Sequence, residues 1–180
     1  PLKGSKGTPF EGGIRTATFL SGGYLEKVAP GEIGKRKNGL VSIADWYSVF
    51  SHLGGDDSNV SDEKARKASL PPPDALNVWD YIIGKSDVSP RTELHVDEST
   101  LVEDQYKLLL GPNRAACNGG PVYPNETNPE CFVTLDCDAT EGCLFDVQKD
   151  KEENYNLALD FPDVLARMKS RLRELNKKVF

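Results

Sequence analysis

No run of apolar residues in this chain approaches the ~18 needed to cross a bilayer, and no basic segment followed by an apolar one reads as a secretory leader. Positive charge is also short. Twenty-two Lys and Arg against 28 Asp and Glu give a formal charge of −6 and a pI near 5.0, so no broad basic face is available for a polyanion, and nucleic acid is a poor candidate partner. Apolar residues make up 38% of the 180 and mean hydropathy is −0.48. That is low, yet short of a disordered composition, and it implies a folded, loop-rich chain. Methionine occurs once, at Met168, and the chain opens Pro1-Leu2-Lys3; it reads as the downstream part of a longer polypeptide. Neither a serine elbow nor a complete phosphate-binding loop is present.

Cysteine is sparse but concentrated. Cys117, Cys131, Cys137 and Cys143 all fall between Asn113 and Phe145, among Pro112, Pro121, Pro124 and Pro129. A zinc site would pair cysteines two to four residues apart or add nearby histidines; here two gaps hold five residues and both histidines, His52 and His95, lie elsewhere. Disulfides stapling a loop-rich segment fit better. They require an oxidising compartment, which agrees with two glycosylation acceptors, Asn59-Val60-Ser61 and Asn125-Glu126-Thr127. Spacing leaves the three possible pairings open.

Along the chain, residues 1–13 form a glycine-rich loop, Ile14 to Leu20 reads as a buried strand, and Ser42 with Asp45 three residues later signals a helix start. Ile43, Trp46, Tyr47, Phe50 and Leu53 continue that helix at helical spacing, with His52 toward solvent. Residues 54–73 are a linker by composition. Asn77 to Ile83 suggests one or two helical turns; Arg91 to Val96, Gln105 to Leu110 and Leu144 to Val147 are short strand candidates. From Asp160 onward an amphipathic helix carries Phe161, Leu165, Met168, Leu172, Leu175 and Val179 on one face, with Asp160 as its cap and Asp163/Arg167 and Glu174/Lys178 as i, i+4 pairs. Short antiparallel strands under one long helix make an α+β unit.

Few residues suggest chemistry. Lys6 lies between Gly4 and Gly7 beside Ser5 and Thr8, so amides, hydroxyls and an ammonium can converge on a tetrahedral oxyanion, or the lysine simply faces water. Lys3 has the same two readings. Glu11 and Arg15 flank Gly12-Gly13 as a buried structural pair or an acid-base pair. His95, at a strand end, is a substrate-pocket candidate or a structural histidine. Asp97, Glu98, Glu103 and Asp104 form a carboxylate cluster without calcium-loop spacing, and read as a solvated face.

The order of motifs resembles one family, the sulfatases, and within it the arylsulfatase B-like group. GSKGTPFEGGIRTATFL is similar to its segment in which a lysine precedes Glu-Gly-Gly-x-Arg. SIADWYSVFSHLGG is similar to its (I/V)-x-D-(W/L) helix, with Ser48-Val49 where the family usually has Pro-Thr, and PPPDALNVWDYI to its D-G-x-(D/N)-x-W stretch, with Ala75 in place of glycine. SPRTELHVDE, QYKLLLG and CLFDVQKDKEENYNLA follow in family order, the last with Lys151 where proline is frequent.

The resemblance implies an α/β, alkaline-phosphatase-like fold, here the end of the large mixed-sheet domain (residues 1–83) followed by a small antiparallel C-terminal subdomain with a terminal helix (84–180). It implies sulfate-ester hydrolysis, of the arylsulfatase or sulfated-sugar type, by a formylglycine nucleophile with Ca2+. The Cys-x-Pro-x-Arg run of that nucleophile and the metal ligands belong upstream in the family pattern, so no metal ligand is expected in this chain. Lys6 carries over as the sulfate-contacting lysine. The rest of the catalytic domain is then a partner, and the compartment the secretory pathway, lysosomal or extracellular. A non-catalytic sulfatase-like secreted binding module is the alternative, and a phosphate or phosphonate ester hydrolase of the same superfamily a third.

Overall fold

The computed structural model describes residues 2–55, 63–116, 132–138 and 141–177. It groups into two compact units, Pro1–Ala17 with Glu93–Phe180, and Thr18–Thr92. The opening loop thus belongs with the C-terminal sheet, a grouping that differs from the division at residue 83 drawn from the family pattern.

The first unit is built on a four-stranded antiparallel sheet of β1 (Glu93–Asp97), β2 (Thr100–Glu103), β3 (Tyr106–Leu109) and β6 (Cys143–Asp146), in the order β1-β2-β3-β6. A separate hairpin pairs β4 (Gly111–Ala116) with β5 (Phe132–Cys137). Strand periodicity explains why both faces of the sheet are covered. Leu101, Leu108 and Leu144 stand opposite one another and pack with Met168 and Leu172 of the terminal helix α6 (Pro162–Asn176). One residue out of phase, Leu109, Cys143 and Phe145 turn to the other face and form a second cluster with Phe10 of the opening loop. Lys107 shares that second face, opposite Val102 and Phe145.

The strands expected at 91–96, 105–110 and 144–147 are present. β2, β4 and β5 add to the expected strands: TLVE is four residues long, GPNRAA opens on two poor strand formers, and FVTLDC lies in the stretch read as a loop-rich segment stapled by cysteines. The α6 stripe packs on the sheet as expected. Its start differs: Phe161 occupies the cap position with no side-chain cap. Arg167, expected beside Asp163, reaches Glu103 of β2, and Arg171 reaches Glu93 at 2.6 Å and Glu174 at 3.2 Å; Lys178, the expected partner of Glu174, and Val179 of the stripe lie outside the described residues.

The second unit holds the short helices α2 (Gly23–Val28), α3 (Asp45–Leu53), α4 (Glu63–Lys67) and α5 (Trp79–Ile82), with a core of Ala29, Val49, Val78, Trp79 and Ile83. Asn77 Oδ1 accepts the Trp79 N–H at 3.0 Å, which fixes the start of α5. Its tightest element is a fork. Arg91 donates from Nε to Asp45 Oδ2 at 2.7 Å and from Nη2 to Oδ1 at 2.5 Å. The same carboxylate accepts the Leu76 N–H at 2.8 Å and the Ser42 N–H at 2.7 Å, the second being one half of the expected capping box. Burial alone would push the Asp45 carboxyl up; the Arg91 bonds and the two backbone donors outweigh it and hold it below its ordinary value.

Two expectations fail here. Ile14 to Leu20 is not a strand: Glu11–Ile14 form a single helical turn, α1, and the chain then runs without ladder partners, leaving Phe19 88% exposed. A strand needs a neighbour to take its N–H and C=O groups, and the described residues offer none there. α3 forms where expected, and Trp46 of the expected stripe packs against the core, but the buried positions are Asp45, Ser48 and Val49, while Ile43, Tyr47, Phe50 and Leu53 are exposed. The Asp45–Arg91 fork, invisible in helical periodicity, sets that orientation.

Candidate functional site

The opening loop is a tightly closed knot. Thr8 N–H donates to Ser5 O at 3.0 Å, closing a turn with Lys6 and Gly7 at its tip, and the Thr8 hydroxyl donates to the same oxygen at 2.8 Å. Gly7 has φ +86°, a conformation glycine adopts without cost. Lys6 is exposed at that tip. Behind it Gly12 N–H donates to Lys3 O at 2.8 Å, and a Cβ on Gly12 would fall 2.6 Å from that same oxygen. One on Gly13 would fall 2.6 Å from Ser5 O. The Glu-Gly-Gly run is therefore dictated by the close passage of two backbone segments.

Under the knot sits a buried ionic cluster. Lys107 Nζ lies 3.2 Å from Glu11 Oε1 and 2.8 Å from Glu153 Oε1, with all three side chains nearly or wholly inaccessible. Glu153 Oε2 accepts the Glu11 N–H at 2.7 Å. Burial pushes the Glu153 carboxyl above its ordinary value, more than the attraction of Lys107 and the Glu11 N–H draws it down, and the Glu11 charge adds to the rise. Arg15 reaches Glu11 Oε2 at 3.2 Å from the cluster's rim. Of the two readings for Glu11 the geometry gives the structural one, with Lys107 as its buried partner and Arg15 as a peripheral one.

Lys3 is committed to the scaffold: its ammonium donates to the Glu153 carbonyl oxygen and lies 5.7 Å from the Phe10 ring centre and 5.9 Å from that of Phe145. His95, on β1, bonds through Nε2 to Asn176 Oδ1 at 2.9 Å, and Asn176 Nδ2 donates to Glu98 O at 2.8 Å. The second bond fixes which end of the amide faces the ring, so Nε2 carries the proton. His52, on α3, is half-buried. In the carboxylate cluster Asp97 accepts from Ser99, and Glu103 pairs with Arg167. Cys137 and Cys143 form a disulfide that ties β5 to β6; Cys117, Cys131, Asn59 and Asn125 lie outside the described residues. Among the described residues no group of three or more His, Cys, Asp or Glu could hold a metal, so the donor set for calcium is not found there. No helix among them is long and apolar enough to cross a membrane.

Comparison with known proteins bears on the resemblance. No family model matches the chain. It is 27% identical over 210 residues to arylsulfatase J of Mus musculus, covering 98% of this chain and 32% of that protein. The chain is related to the sulfatases. A solved structure, the PsFucS1 sulfatase from Pseudoalteromonas sp., superposes over 98% of the chain and 33% of its own length, with a TM-score of 0.58 and 21% identity. The likeness shows the expected fold, an α/β sulfatase architecture ending in an antiparallel sheet and a terminal helix. The chain spans about a third of each sulfatase, and the match to arylsulfatase J falls on its C-terminal part.

Sequence reasoning missed Lys107 and Glu153 as members of the site. A lone lysine inside QYKLLL was a usable signal, because a lysine amid buried residues requires a carboxylate partner.

Proposed function

We propose that this chain is the C-terminal part of a sulfuric ester hydrolase in which Lys6 contacts the sulfate group. The observation that carries the reading is the geometry of Lys6, an exposed ammonium at the tip of a glycine turn closed by Thr8 and backed by the Glu11-Gly12-Gly13 segment. The turn that carries this cation is closed before substrate arrives, and a charge presented from a fixed turn stabilises what gathers on sulfuryl oxygens in the transition state. The role assigned to Lys6 comes from the sulfatase resemblance, supported by arylsulfatase J as a relative. On this reading, residues 1–83 complete the catalytic domain of the whole protein and 84–180 form its small C-terminal subdomain. Formylglycine and Ca2+ are contributed by parts of the polypeptide outside this chain; the calcium neutralises sulfate oxygens when bound. His95 has a weaker claim to the substrate pocket, since Asn176 already engages its Nε2.

The substrate class is a sulfate ester, a sulfated carbohydrate among the candidates. Glycans at Asn59 and Asn125, disulfide-bonded rather than free thiols at Cys117 and Cys131, and a lysosomal or extracellular destination complete the proposal. Incubating the polypeptide that carries this chain with an aryl sulfate, with sulfated sugars and with a phosphate monoester tests it. Release of inorganic sulfate is expected. Binding without release would identify a non-catalytic module instead, and release of phosphate alone a phosphoesterase.

A further inference from the structure

Glu153 holds the Lys6 loop at both ends. Its Oε2 accepts the Glu11 N–H where the loop closes, and its carbonyl oxygen accepts the Lys3 ammonium where the loop opens. Its Oε1 is drawn to Lys107, which is also paired with Glu11. The residue is fully buried, yet it adopts φ +54°, a left-handed conformation that L residues other than glycine, Asn and Asp seldom take. Such a conformation persists only where the surroundings over-determine it. Here one residue presents its side chain to one end of the loop and its carbonyl to the other. Lys3 is in turn tied to the residue that follows Glu11 through the Gly12 N–H to Lys3 O bond.

We propose that Glu153 is a positioning residue that fixes Lys6 in its sulfate-contacting position through the Lys3–Glu11 loop. The inference rests on the Lys6 reading above and adds a residue that touches neither substrate nor Lys6. The element that matters is the acceptor for the Glu11 N–H. Glu153→Gln keeps that acceptor and Glu153→Ala removes it.

The test is a double-mutant cycle on the polypeptide carrying this chain, read as its affinity for inorganic sulfate by titration calorimetry, on protein shown to be folded by circular dichroism. Glu153→Ala should weaken sulfate binding by roughly ten- to a hundredfold, the range seen when an outer partner of a ligating group is lost. Glu153→Gln, whose amide oxygen can still accept the Glu11 N–H while its NH2 takes the place of the oxygen that faces Lys107, should bind sulfate measurably more tightly than Glu153→Ala. In a Lys6→Ala background, Glu153→Ala should change sulfate affinity no further, because it acts through a side chain no longer there. A merely structural Glu153 would lower melting temperature while leaving the sulfate affinity of the folded protein unchanged, and that result overturns the proposal. Equal losses in both backgrounds also overturn it. Unchanged affinity in Lys6→Ala alone defeats the Lys6 reading first, whatever Glu153 does. Should Glu153→Ala fail to fold, Lys3→Met cuts the other tie while keeping an apolar stem over Phe10 and Phe145; it should show the same dependence on Lys6, and sulfate affinity unchanged in Lys3→Met counts against the proposal.

Discussion

Replacing Asp45 by Asn removes the carboxylate from the Arg91 fork while almost preserving its shape. The Asp45 side chain is wholly buried and that of Arg91 is 10% exposed, so solvent cannot replace what is lost. Arg91 then faces a neutral amide, and one of the carboxylate's two backbone donors, Leu76 N–H or Ser42 N–H, meets an amide NH2 where it had an oxygen. Breaking a buried ion pair by removing one partner costs roughly 3 to 5 kcal/mol, and that is the loss expected at neutral pH. The dependence on acid has a definite sign. Asp45 titrates below its ordinary value of 3.8 in the folded state, so the unfolded chain binds the proton more readily, and the stability it contributes is present above about pH 4 and lost as pH falls through the folded value. Urea unfolding of wild type and Asp45→Asn from pH 7 down to pH 3 should show a gap that is largest at neutral pH and narrows in acid. A gap under 1 kcal/mol, or one that widens in acid, would refute the fork as the anchor of α3.

Further consequences concern the first unit. Leu172→Ala opens a hole between α6 and the sheet and should cost roughly 2 to 5 kcal/mol, whereas Arg173→Ala on the exposed side should stay within about 0.5 kcal/mol; equal losses in chemical denaturation would show the stripe to be misassigned. Replacing Cys137 and Cys143 together by Ala releases a short loop and should cost roughly 2 to 3 kcal/mol, measured the same way under non-reducing conditions; no change would mean the bridge adds nothing to the packing already there. Gly13→Ala places a methyl against Ser5 O and should reduce sulfate-ester turnover with little change in the melting of the sheet; wild-type turnover would show that the knot tolerates rearrangement.

Local signals in the sequence carried far, and contacts distant along the chain were what they missed. The α6 stripe, the Asn77–Ile83 turn and the Lys6 glycine loop were legible because each depends on residues within a few positions of one another. Lys107 and Glu153 lie 46 positions apart, and both lie about a hundred or more from Glu11; only the register that sets Lys107 opposite Phe145 brings them together. α3 shows the same limit from the other side. Its apolar spacing was read correctly as a helix, but Asp45, 46 positions from Arg91, decided which face went inward. Ile14 to Leu20 has strand composition, and composition supplies no partner strand.

The most direct test of the central claim is the turnover of a sulfate ester by the whole protein carrying Lys6→Ala, beside wild type and at matched folded concentration. Loss of one preorganised donor costs about 10²- to 10³-fold in kcat, and a fall of that size with unchanged melting temperature is the expected result. Near-normal turnover in Lys6→Ala would contradict the assignment of this loop to the sulfate site.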